Sequence, residues 1–373
     1  MANVAIIGAG KIGGAVAKLL QATGDYRLRV TDRDAQALER LARNGIAVQQ
    51  LEVDDAEALR ALLADVDIVI SAGPFSVNPT IARAALGAGA SYFDLTEDVA
   101  TTRAIRELAV KAGPGQVFVP QCGLAPGFIG ILANDLCAGF DTLDEVKMRV
   151  GALPQFPSNH LLYNLTWSTD GLINEYCNPC EAIVDGRLVE VLALEGQEEL
   201  SLDGITYEAF NTSGGLGTLC ETLAGRVREL NYKTVRYPGH RYLMDFLIDG
   251  LRLRDRRELL KDILERAVPI TMQDVALTFA SVSGTSGGQF VQRSDARKIY
   301  NRMVLGEHWS SIQITTAAGV CALVDLHREG KLGAGGFVRQ ESVALQTFMA
   351  NRFGRYFERD TPVEATRRAS DLA

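Results

Sequence analysis

Short apolar runs alternate with segments of helical periodicity through the first third of the chain. The predicted strands cover residues 4–7, 28–31, 48–51, 67–71, 91–95 and 117–120. Most of them contain β-branched residues, which is typical of strands buried on both faces. Apolar positions at helical spacing predict helices over residues 11–23, 34–44, 55–64, 79–88 and 99–112. Strands joined by helical crossovers in this way predict an α/β fold with a doubly wound parallel sheet.

The pattern changes after residue 122, where strands cluster around turn signals. Asp185-Gly186 and Asp203-Gly204 are typical of hairpin turns, and further strands are predicted at residues 145–150, 275–283 and 289–292. Helices are predicted at residues 170–176, 217–227, 256–267, 310–328 and 341–353. Clustered strands with segregated helices predict a second, α+β domain built on a mixed or antiparallel sheet.

These patterns divide the chain into a first domain of residues 1–122 and a second of residues 123–336. We expect a helix within residues 337–356 to pack back on the first domain, and residues 357–373 to form a polar tail. The length of 373 residues agrees with this division, because soluble domains commonly hold about 150 residues.

Charge and composition exclude several classes of partner. The formal net charge is −8 and the pI is near 5.2, whereas nucleic acids and anionic membranes attract proteins that carry a positive field. We expect no signal peptide, and no apolar run approaches the ~20 residues of a membrane span. We therefore expect a cytoplasmic protein that binds neither nucleic acid nor membrane.

The six cysteines are widely spaced, as in a reduced cytosolic protein. Cys177 and Cys180 form a C-x-x-C pair. A structural zinc site needs a second pair of ligands, which the neighbouring sequence lacks, and a thioredoxin motif would precede a helix rather than a hairpin. We interpret both residues as structural thiols and predict no metal site.

A glycine-rich loop follows the first predicted strand and opens the first predicted helix. It reads Gly8, Ala9, Gly10, Lys11, Ile12, Gly13. This G-x-G-x-x-G spacing between a strand and a helix is the dinucleotide-binding fingerprint of Rossmann domains. Gly8 makes the tight turn, Gly10 lets the pyrophosphate approach the backbone, and Gly13 lets helix and strand pack closely, while the helix N-terminus attracts the phosphates. The alternative is a glycine-rich turn without a ligand.

Residues at the ends of the following strands complete the predicted cofactor site. Asp32 ends the second strand, where a carboxylate binds the ribose hydroxyls and favours NAD, although the adjacent Arg33 could hold the 2′-phosphate of NADP. Asp54 is expected near the adenine edge and could also cap the next helix. The nicotinamide side of the crevice is expected at Ser71, Ala72, Pro74 and Phe75.

Several short motifs carry a resemblance to a known family. They are the glycine-rich loop, Gly123-Leu-Ala-Pro-Gly127, Tyr163-Asn164 before Trp167-Ser168, Asn211-Thr-Ser-Gly-Gly215 and Tyr232-Lys-Thr-Val-Arg-Tyr-Pro-Gly-His240. Taken together, these motifs show that the chain, over about residues 1–355, resembles the saccharopine dehydrogenase-like family and, within it, the L-lysine 6-dehydrogenases. The resemblance implies a homodimer that uses a nicotinamide cofactor to oxidise or reduce a C–N bond at an amino-acid amine, with the second domain binding the substrate and forming the dimer.

One difference within the family bears on the substrate. Saccharopine reductases carry Leu-Asp-Pro-Gly where this chain has Ala125, and lysine 6-dehydrogenases carry Ala at that position. Saccharopine brings the extra charge of its glutamate-derived half, which the missing carboxylate would help to recognise. The difference therefore favours lysine over saccharopine.

The resemblance also assigns substrate residues in the second domain. A guanidinium is a natural clamp for an α-carboxylate, and Arg236 takes this role, with a surface ion pair as the alternative. Backbone N–H groups of Thr212, Ser213 and Gly214 would bind the same carboxylate, unless this segment is a simple turn. The aliphatic part of the substrate is expected to contact Tyr163, Asn164 and Trp167. A core position is the alternative for the tryptophan.

Oxidation of an amine requires a group that accepts its proton. The candidates are Asp94, which lies at the end of the fifth strand and could instead cap the next helix, and His240, whose ordinary pKa suits the task. We predict NAD-dependent oxidation, with NADP possible, of the ε-amine of L-lysine to allysine, which cyclises to piperideine-6-carboxylate. The alternatives are a saccharopine or carboxynorspermidine-type reductase and an NAD-binding sensor without catalysis.

Overall fold

The first sheet is parallel and doubly wound. In the computed structural model, which describes residues 1–359, its first six strands are β1 (Ala2–Ile7), β2 (Tyr26–Asp32), β3 (Ala47–Gln50), β4 (Ile68–Ser71), β5 (Ser91–Asp94) and β6 (Val117–Val119). The crossover helices are α1 (Lys11–Gln21), α2 (Ala35–Ala42), α3 (Ala56–Leu63), α4 (Asn78–Ala88) and α5 (Val99–Ala109). The strand order β3-β2-β1-β4-β5-β6 reverses its winding between β1 and β4, so a crevice opens there at the carboxyl ends of the strands.

The predicted α/β class and each predicted element of this domain are confirmed. Apolar residues cover both faces of the sheet, with one core cluster under α1 and α2 and the other under α3, α4 and α5. All residues of β4 and β5 are buried, which explains why the apolar residues of β4 are consecutive rather than alternating with polar ones.

The second sheet is mixed, as predicted. Its strands are β7 (Thr142–Pro154), β8 (Cys180–Val184), β9 (Arg187–Val191), β10 (Glu198–Leu202), β11 (Ile205–Asn211), β12 (Val227–Arg236), β13 (Asp274–Ser286) and β14 (Gln289–Tyr300). The order is β10-β11-β12-β7-β13-β14, and the β8-β9 hairpin attaches to β12. Only the β12–β7 pair is parallel among the pairings of this sheet in residues 1–359. The hairpin turns predicted at Asp185-Gly186 and Asp203-Gly204 are present.

Helices pack on this sheet and on its loops. They are α6 (Phe128–Leu136), α7 (Thr169–Cys177), α8 (Leu219–Thr222), α9 (His240–Asp245) and α10 (Arg257–Ala267). A small two-stranded sheet follows, formed by β15 (Arg302–Val304) and β16 (Glu307–Trp309). All six cysteines are buried free thiols.

The last part of the described chain returns to the first domain. Helix α11 (Ser311–Arg328) packs along α1, and β17 (Gly336–Phe337) adds to the first sheet as a parallel neighbour of β6. The buried carboxylate of Asp325 joins the two regions, because it accepts hydrogen bonds from the Tyr26 hydroxyl at 2.6 Å and from Arg352 Nη2 at 2.7 Å. Of the predicted tail, residues 360–373 lie outside the described residues.

Two helix predictions are wrong in extent. The helix expected over residues 217–227 shrinks to α8, because the next strand of the second sheet already begins at Val227. The helix expected over residues 341–353 is limited to α12 (Leu345–Ala350) between two short 3₁₀ turns. After it the chain folds back so tightly that a Cβ on Gly354 would lie 1.8 Å from the Phe348 carbonyl oxygen.

Within residues 1–359, every helix is too short or too polar to cross a lipid bilayer.

Candidate active site

The glycine-rich loop between β1 and α1 has the geometry that phosphate binding requires. Gly8 has a φ of +114°, and a Cβ on Gly13 would lie 1.9 Å from the Gly8 carbonyl oxygen, so both positions need glycine. At Gly10 the space that a Cβ would occupy is open. Because α1 begins at Lys11, its first-turn N–H groups have no partner within the helix. A pyrophosphate fits this combination of open space and unpaired donors.

Asp32 supports this loop from the end of β2. One carboxylate oxygen accepts a hydrogen bond from the Ala9 N–H at 2.6 Å, and the other accepts one from the Asp34 N–H at 2.9 Å. Asp32 is half-buried, and the adjacent Arg33 is exposed. Asp32 therefore contacts the loop directly, and its role toward the adenosine ribose of a dinucleotide stays a prediction.

Two further residues predicted to bind the cofactor are Asp54 and Ser71. Asp54 is exposed, and α3 is capped by Asp55, because the helix begins one residue later than expected. Ser71 is buried, and its hydroxyl donates to Asn78 Oδ1 at 2.7 Å. Ser71 therefore holds the start of α4 instead of facing a ligand.

A cavity of about 660 Å³ connects the glycine loop with the second sheet. The first domain contributes Gly10, Lys11, Ile12, Ala72, Pro74, Phe75, Leu95, Thr96 and Glu97 to its walls. The second domain contributes Ala125, Val150, Ala152, Trp167, Glu175, Tyr232, Thr234 and Arg236, and α11 adds Ile312, Gln313 and Thr316. The predicted cofactor and substrate sides therefore open into one shared space.

Arg236, the last residue of β12, is a buried cation in this cavity. The residue is 2% exposed. Its Nη1 donates to the Val235 carbonyl at 2.8 Å, its Nε donates to the Tyr176 hydroxyl at 2.9 Å, and the ring of Tyr163 lies 5.0 Å from the guanidinium carbon. It forms no ion pair with any carboxylate in residues 1–359, so the alternative interpretation, a surface ion pair, is wrong. A buried guanidinium without a counter-ion is suited to a ligand carboxylate.

His240 orients this arginine through Tyr176. The His240 Nδ1 lies 2.8 Å from the Leu161 carbonyl oxygen, and Nε2 lies 3.0 Å from the Tyr176 hydroxyl. Because a carbonyl only accepts, Nδ1 carries the proton, and Nε2 accepts from the Tyr176 hydroxyl, which in turn accepts from Arg236. Burial and the nearby Arg236 charge lower the pKa of His240 to about 3. His240 is fully buried behind the cavity wall, so the structure favours a positioning role over the predicted proton transfer.

Asp94 is also fully buried and does not line the cavity. Its carboxylate accepts from the N–H groups of Thr96 and Gln121, both at 3.0 Å, and from the Tyr92 hydroxyl at 2.9 Å. Burial raises its pKa to about 6 despite these three donors. The cap of α5 is Asp98 rather than Asp94. The geometry favours a role for Asp94 in holding the ends of β5 and β6 together.

The segment predicted to bind the substrate carboxylate through its backbone lies behind the cavity. The Ser213 N–H donates to the Glu175 carbonyl at 2.9 Å, and its hydroxyl donates to the Pro179 carbonyl at 2.8 Å. Gly214 is packed against the backbone of Glu97. Thr212 is buried, with a hydroxyl that lacks a partner among residues 1–359. These residues therefore connect other site residues and do not face a ligand.

The three residues predicted to contact the aliphatic part of the substrate separate into two groups. Trp167 lines the cavity and is partly exposed to it. Tyr163 is buried beneath Arg236, and Asn164 is buried beside it in the chain. Only Trp167 of the three contributes to the cavity wall within the described residues.

Comparison with known proteins agrees with this two-domain arrangement. Residues 4–119 match the saccharopine dehydrogenase NADP binding domain, and residues 123–350 match the saccharopine dehydrogenase C-terminal domain. The chain belongs to the saccharopine dehydrogenase family. The domain description names NADP, so membership does not by itself decide between NAD and NADP.

Relatives within the saccharopine dehydrogenase family align with parts of the chain. Saccharopine dehydrogenase (NADP+, L-glutamate-forming) of Saccharomyces cerevisiae is 29% identical over 205 residues, which are 51% of this chain and 44% of the yeast protein. The mitochondrial alpha-aminoadipic semialdehyde synthase of Bos taurus is 24% identical over 331 residues, 80% of this chain and 33% of the bovine protein. The chain thus aligns with less than half of the length of these curated relatives.

The fold of the family is also present in a solved structure. Apo saccharopine dehydrogenase (L-Glu forming) from Saccharomyces cerevisiae superimposes with a TM-score of 0.78 at 18% identity, covering 94% of this chain and 96% of the yeast chain. At this identity the likeness shows the shared fold.

None of the carboxyl groups that line the cavity of this saccharopine dehydrogenase family member was predicted, and two of them have a raised pKa. Glu175 on α7 is 5% exposed, and its carboxyl group makes no hydrogen bond within residues 1–359. Burial raises its pKa to about 8, against the lowering effect of Arg236. Glu97 follows β5, and burial raises its pKa to about 7. The position of Glu97 after a strand of the parallel sheet is a signal that could have identified it, whereas Glu175 lies in a helix without such a signal.

Proposed function

We propose that this family member is an NAD(P)-dependent oxidoreductase that acts on an amino-acid amine, and that its substrate is L-lysine, oxidised at the ε-carbon to allysine. The observation that supports lysine as the substrate is the charge of the residues that line the shared cavity. Its lining cations within residues 1–359 are Lys11, in the glycine loop, and Arg236. Its lining carboxyl groups are Glu97, Asp170, Glu175 and Glu265.

This balance of charge suits lysine. Lysine carries one carboxylate and two ammonium groups, so it matches a single buried guanidinium opposed by carboxyl groups. Arg236 would bind the α-carboxylate, and Glu175, which lies beside Arg236 without an ion pair, would bind the α-ammonium. The apolar walls formed by residues such as Val150, Ala152 and Trp167 would contact the side-chain methylenes. Holding the ε-carbon at the cofactor supplies most of the rate enhancement.

The residues of the first domain fit a nicotinamide dinucleotide. The Gly10 backbone and the α1 N-terminus would hold the pyrophosphate, and Asp32 would hold the adenosine ribose. The bound nicotinamide supplies the hydride acceptor. Because a carboxylate at Asp32 repels a 2′-phosphate, we propose a preference for NAD over NADP.

A panel of substrates tests the assignment. NADH formation, followed by near-ultraviolet absorbance, is expected with L-lysine and is expected to be at least tenfold slower in kcat/KM with L-ornithine or saccharopine. Arg236→Gln should lower kcat/KM for lysine by about 100-fold or more, since it removes a buried charge-assisted contact worth about 3 kcal/mol.

Arg149→Gln is a matched control for this variant. Arg149 is 1% exposed and pairs with Glu198, and it lies on the face of β7 opposite the cavity. It should lower stability and leave the KM for lysine within about twofold. Turnover of saccharopine without turnover of lysine would contradict the lysine assignment.

A secondary-amine substrate is the second candidate. The names of the yeast relatives favour it, since these proteins are saccharopine dehydrogenases. Saccharopine carries three carboxylates, however, and the described cavity offers Arg236 and Lys11 as cations for them. The same assay separates the two candidates.

A further inference from the structure

Glu97 lies in a segment whose backbone is fixed on both sides. The N–H of Thr96 before it is held by the buried Asp94 carboxylate, and Asp98 after it caps α5 by accepting from the Thr101 N–H at 2.6 Å. The segment begins where β5 ends, at the carboxyl edge of the parallel sheet. In doubly wound sheets this edge faces the bound dinucleotide. Glu97 therefore projects from a rigid support on the cofactor side of the cavity.

One oxygen of the Glu97 carboxyl group is enclosed yet lacks a partner. Its Oε1 is buried and makes no hydrogen bond within residues 1–359. A Cβ on Gly171 would lie 3.2 Å from this oxygen and 2.3 Å from the Trp167 indole, so the bare glycine lets the indole pack beside Glu97. Glu97 and Trp167 line the same cavity wall. A buried, unpaired carboxylate oxygen at a cavity is suited to receive a hydrogen from a ligand.

The charges around Glu97 favour proton acceptance near neutral pH. Asp94 and Asp98 lie on its own segment, and Glu175 faces it from α7, with Arg236 beyond Glu175. Burial is the main cause that raises the pKa of Glu97 to about 7; the charges of Asp98 and Asp94 also raise it, and hydrogen bonds from the backbone and from Asn174 lower it. A general base is most effective when its pKa lies near the working pH.

We propose that Glu97 accepts the proton that the reacting ammonium of the substrate must lose. This inference rests on the proposed amine oxidation. The ammonium N–H bond breaks, and its proton passes to the Glu97 carboxylate. The freed lone pair on nitrogen forms the C=N bond as the adjacent C–H bond breaks, and that hydrogen leaves with its electron pair to the oxidised nicotinamide. Water then adds to the iminium carbon, and ammonia leaves as the carbonyl forms.

Other titratable groups near the cavity are less suited to this step. Asp94 already accepts three hydrogen bonds and lies behind the wall. Both nitrogens of His240 are engaged by protein partners. Glu175 lies beside Arg236, where the carboxylate end of an amino acid would bind. Glu97 combines access to the cavity with an unpaired oxygen.

The test compares Glu97→Gln with the wild type and with Glu107→Gln, whose exposed carboxylate lies on α5 outside the cavity. We expect Glu97→Gln to lower kcat for lysine by about 100-fold or more, as loss of a general base commonly does. The dissociation constants of lysine and NAD, measured by calorimetry, should change by less than about threefold. Glu107→Gln should match the wild type.

The pH profile adds a readout that a structural role would not change. In the wild type kcat/KM should rise with pH through about 7, because Glu97 must be ionised to accept a proton. Glu97→Gln should lose this rise, and Glu97→Asp should keep it at a reduced rate. If Glu97→Gln does not fold, the profile of Glu97→Asp decides.

The outcomes are distinguishable. A wild type that oxidises lysine and a Glu97→Gln variant with the same kcat and pH profile would overturn the role of Glu97 alone. A variant that loses lysine affinity while keeping kcat would also overturn it, since Glu97 would then bind the substrate. A wild type that reduces neither NAD nor NADP with any amine of the panel would overturn the proposed function, and this inference with it.

Discussion

Removing the Tyr176 hydroxyl should weaken substrate binding, although we do not expect this hydroxyl to contact the substrate. This hydroxyl accepts from Arg236 Nε at 2.9 Å and donates to His240 Nε2 at 3.0 Å. Tyr176→Phe keeps the ring and leaves both buried groups without their partner. Arg236 would then be free to leave the orientation in which it meets a carboxylate.

The expected size follows from these two hydrogen bonds. A buried group that loses its partner costs about 1–3 kcal/mol, more when it is charged. Part of this cost lowers the stability of the whole protein, and the part that falls on Arg236 orientation lowers substrate affinity. If about 1–2 kcal/mol falls on binding, the KM for lysine rises roughly 5- to 30-fold. The affinity for NAD should not change, because Tyr176 lies in the second domain, away from the glycine loop.

Steady-state kinetics with lysine, calorimetry with NAD and urea unfolding measure the three quantities. Tyr237→Phe is the matched control, because the Tyr237 hydroxyl donates to the Pro154 carbonyl at 2.9 Å outside the cavity. This control should lose a similar hydrogen bond with the KM for lysine unchanged. An unchanged KM in Tyr176→Phe, or an equal rise in both variants, would refute the positioning role assigned to Tyr176 and His240.

Three further variants test other parts of the structure. Gly13→Ala should lower NAD affinity at least tenfold in a fluorescence titration, because its Cβ would lie 1.9 Å from the Gly8 carbonyl oxygen; wild-type affinity would contradict the loop geometry. Asp32→Ala should lower the ratio of kcat/KM for NAD to that for NADP, and an unchanged ratio would count against Asp32 as the discriminating residue. Asp325→Asn should lower the free energy of unfolding, measured with urea at neutral pH, by about 3 kcal/mol, since Arg352 then loses its buried, charged partner. Hydrogen bonds, of which the one from Arg352 contributes most, lower the pKa of Asp325 to about 2. This stabilisation is therefore present above about pH 4 and is lost as the pH falls through 2. A difference in unfolding free energy between wild type and variant that stays constant across this pH range would contradict the assignment.

Local signals explain why the first domain was predicted well. The glycine loop, the strands after it and Asp32 follow one another in the chain, and each is recognised from spacing or periodicity alone. The second domain depends on distant pairing. The strand β12 was missed although it carries Arg236, because it pairs in parallel with β7, which lies more than 80 residues earlier. Periodicity does not report such a partner.

The cavity carboxyl groups show a second limit of sequence reasoning. Asp94 is the last residue of β5 and Glu97 follows it, and from the sequence either could face the cofactor. The structure buries Asp94 under three donors and leaves Glu97 in the cavity wall. Two of these donors, Tyr92 and Thr96, are close to Asp94 in the chain, whereas the third, the Gln121 N–H, follows β6. One of the three donors that occupy the Asp94 carboxylate is therefore 27 positions away in the chain, and the sequence near Asp94 does not reveal it.

A motif shared with a family need not touch the substrate to be required by the site. Gly214, with a φ of +85°, lies so close to the first domain that a Cβ would be 2.2 Å from the Glu97 carbonyl oxygen. The preceding Ser213 N–H binds the Glu175 carbonyl. This turn thus fixes a carboxyl group of the first domain relative to one of the second. Its glycine is explained by the contact between domains, and a side chain there would separate the two groups that we propose act on opposite ends of one substrate.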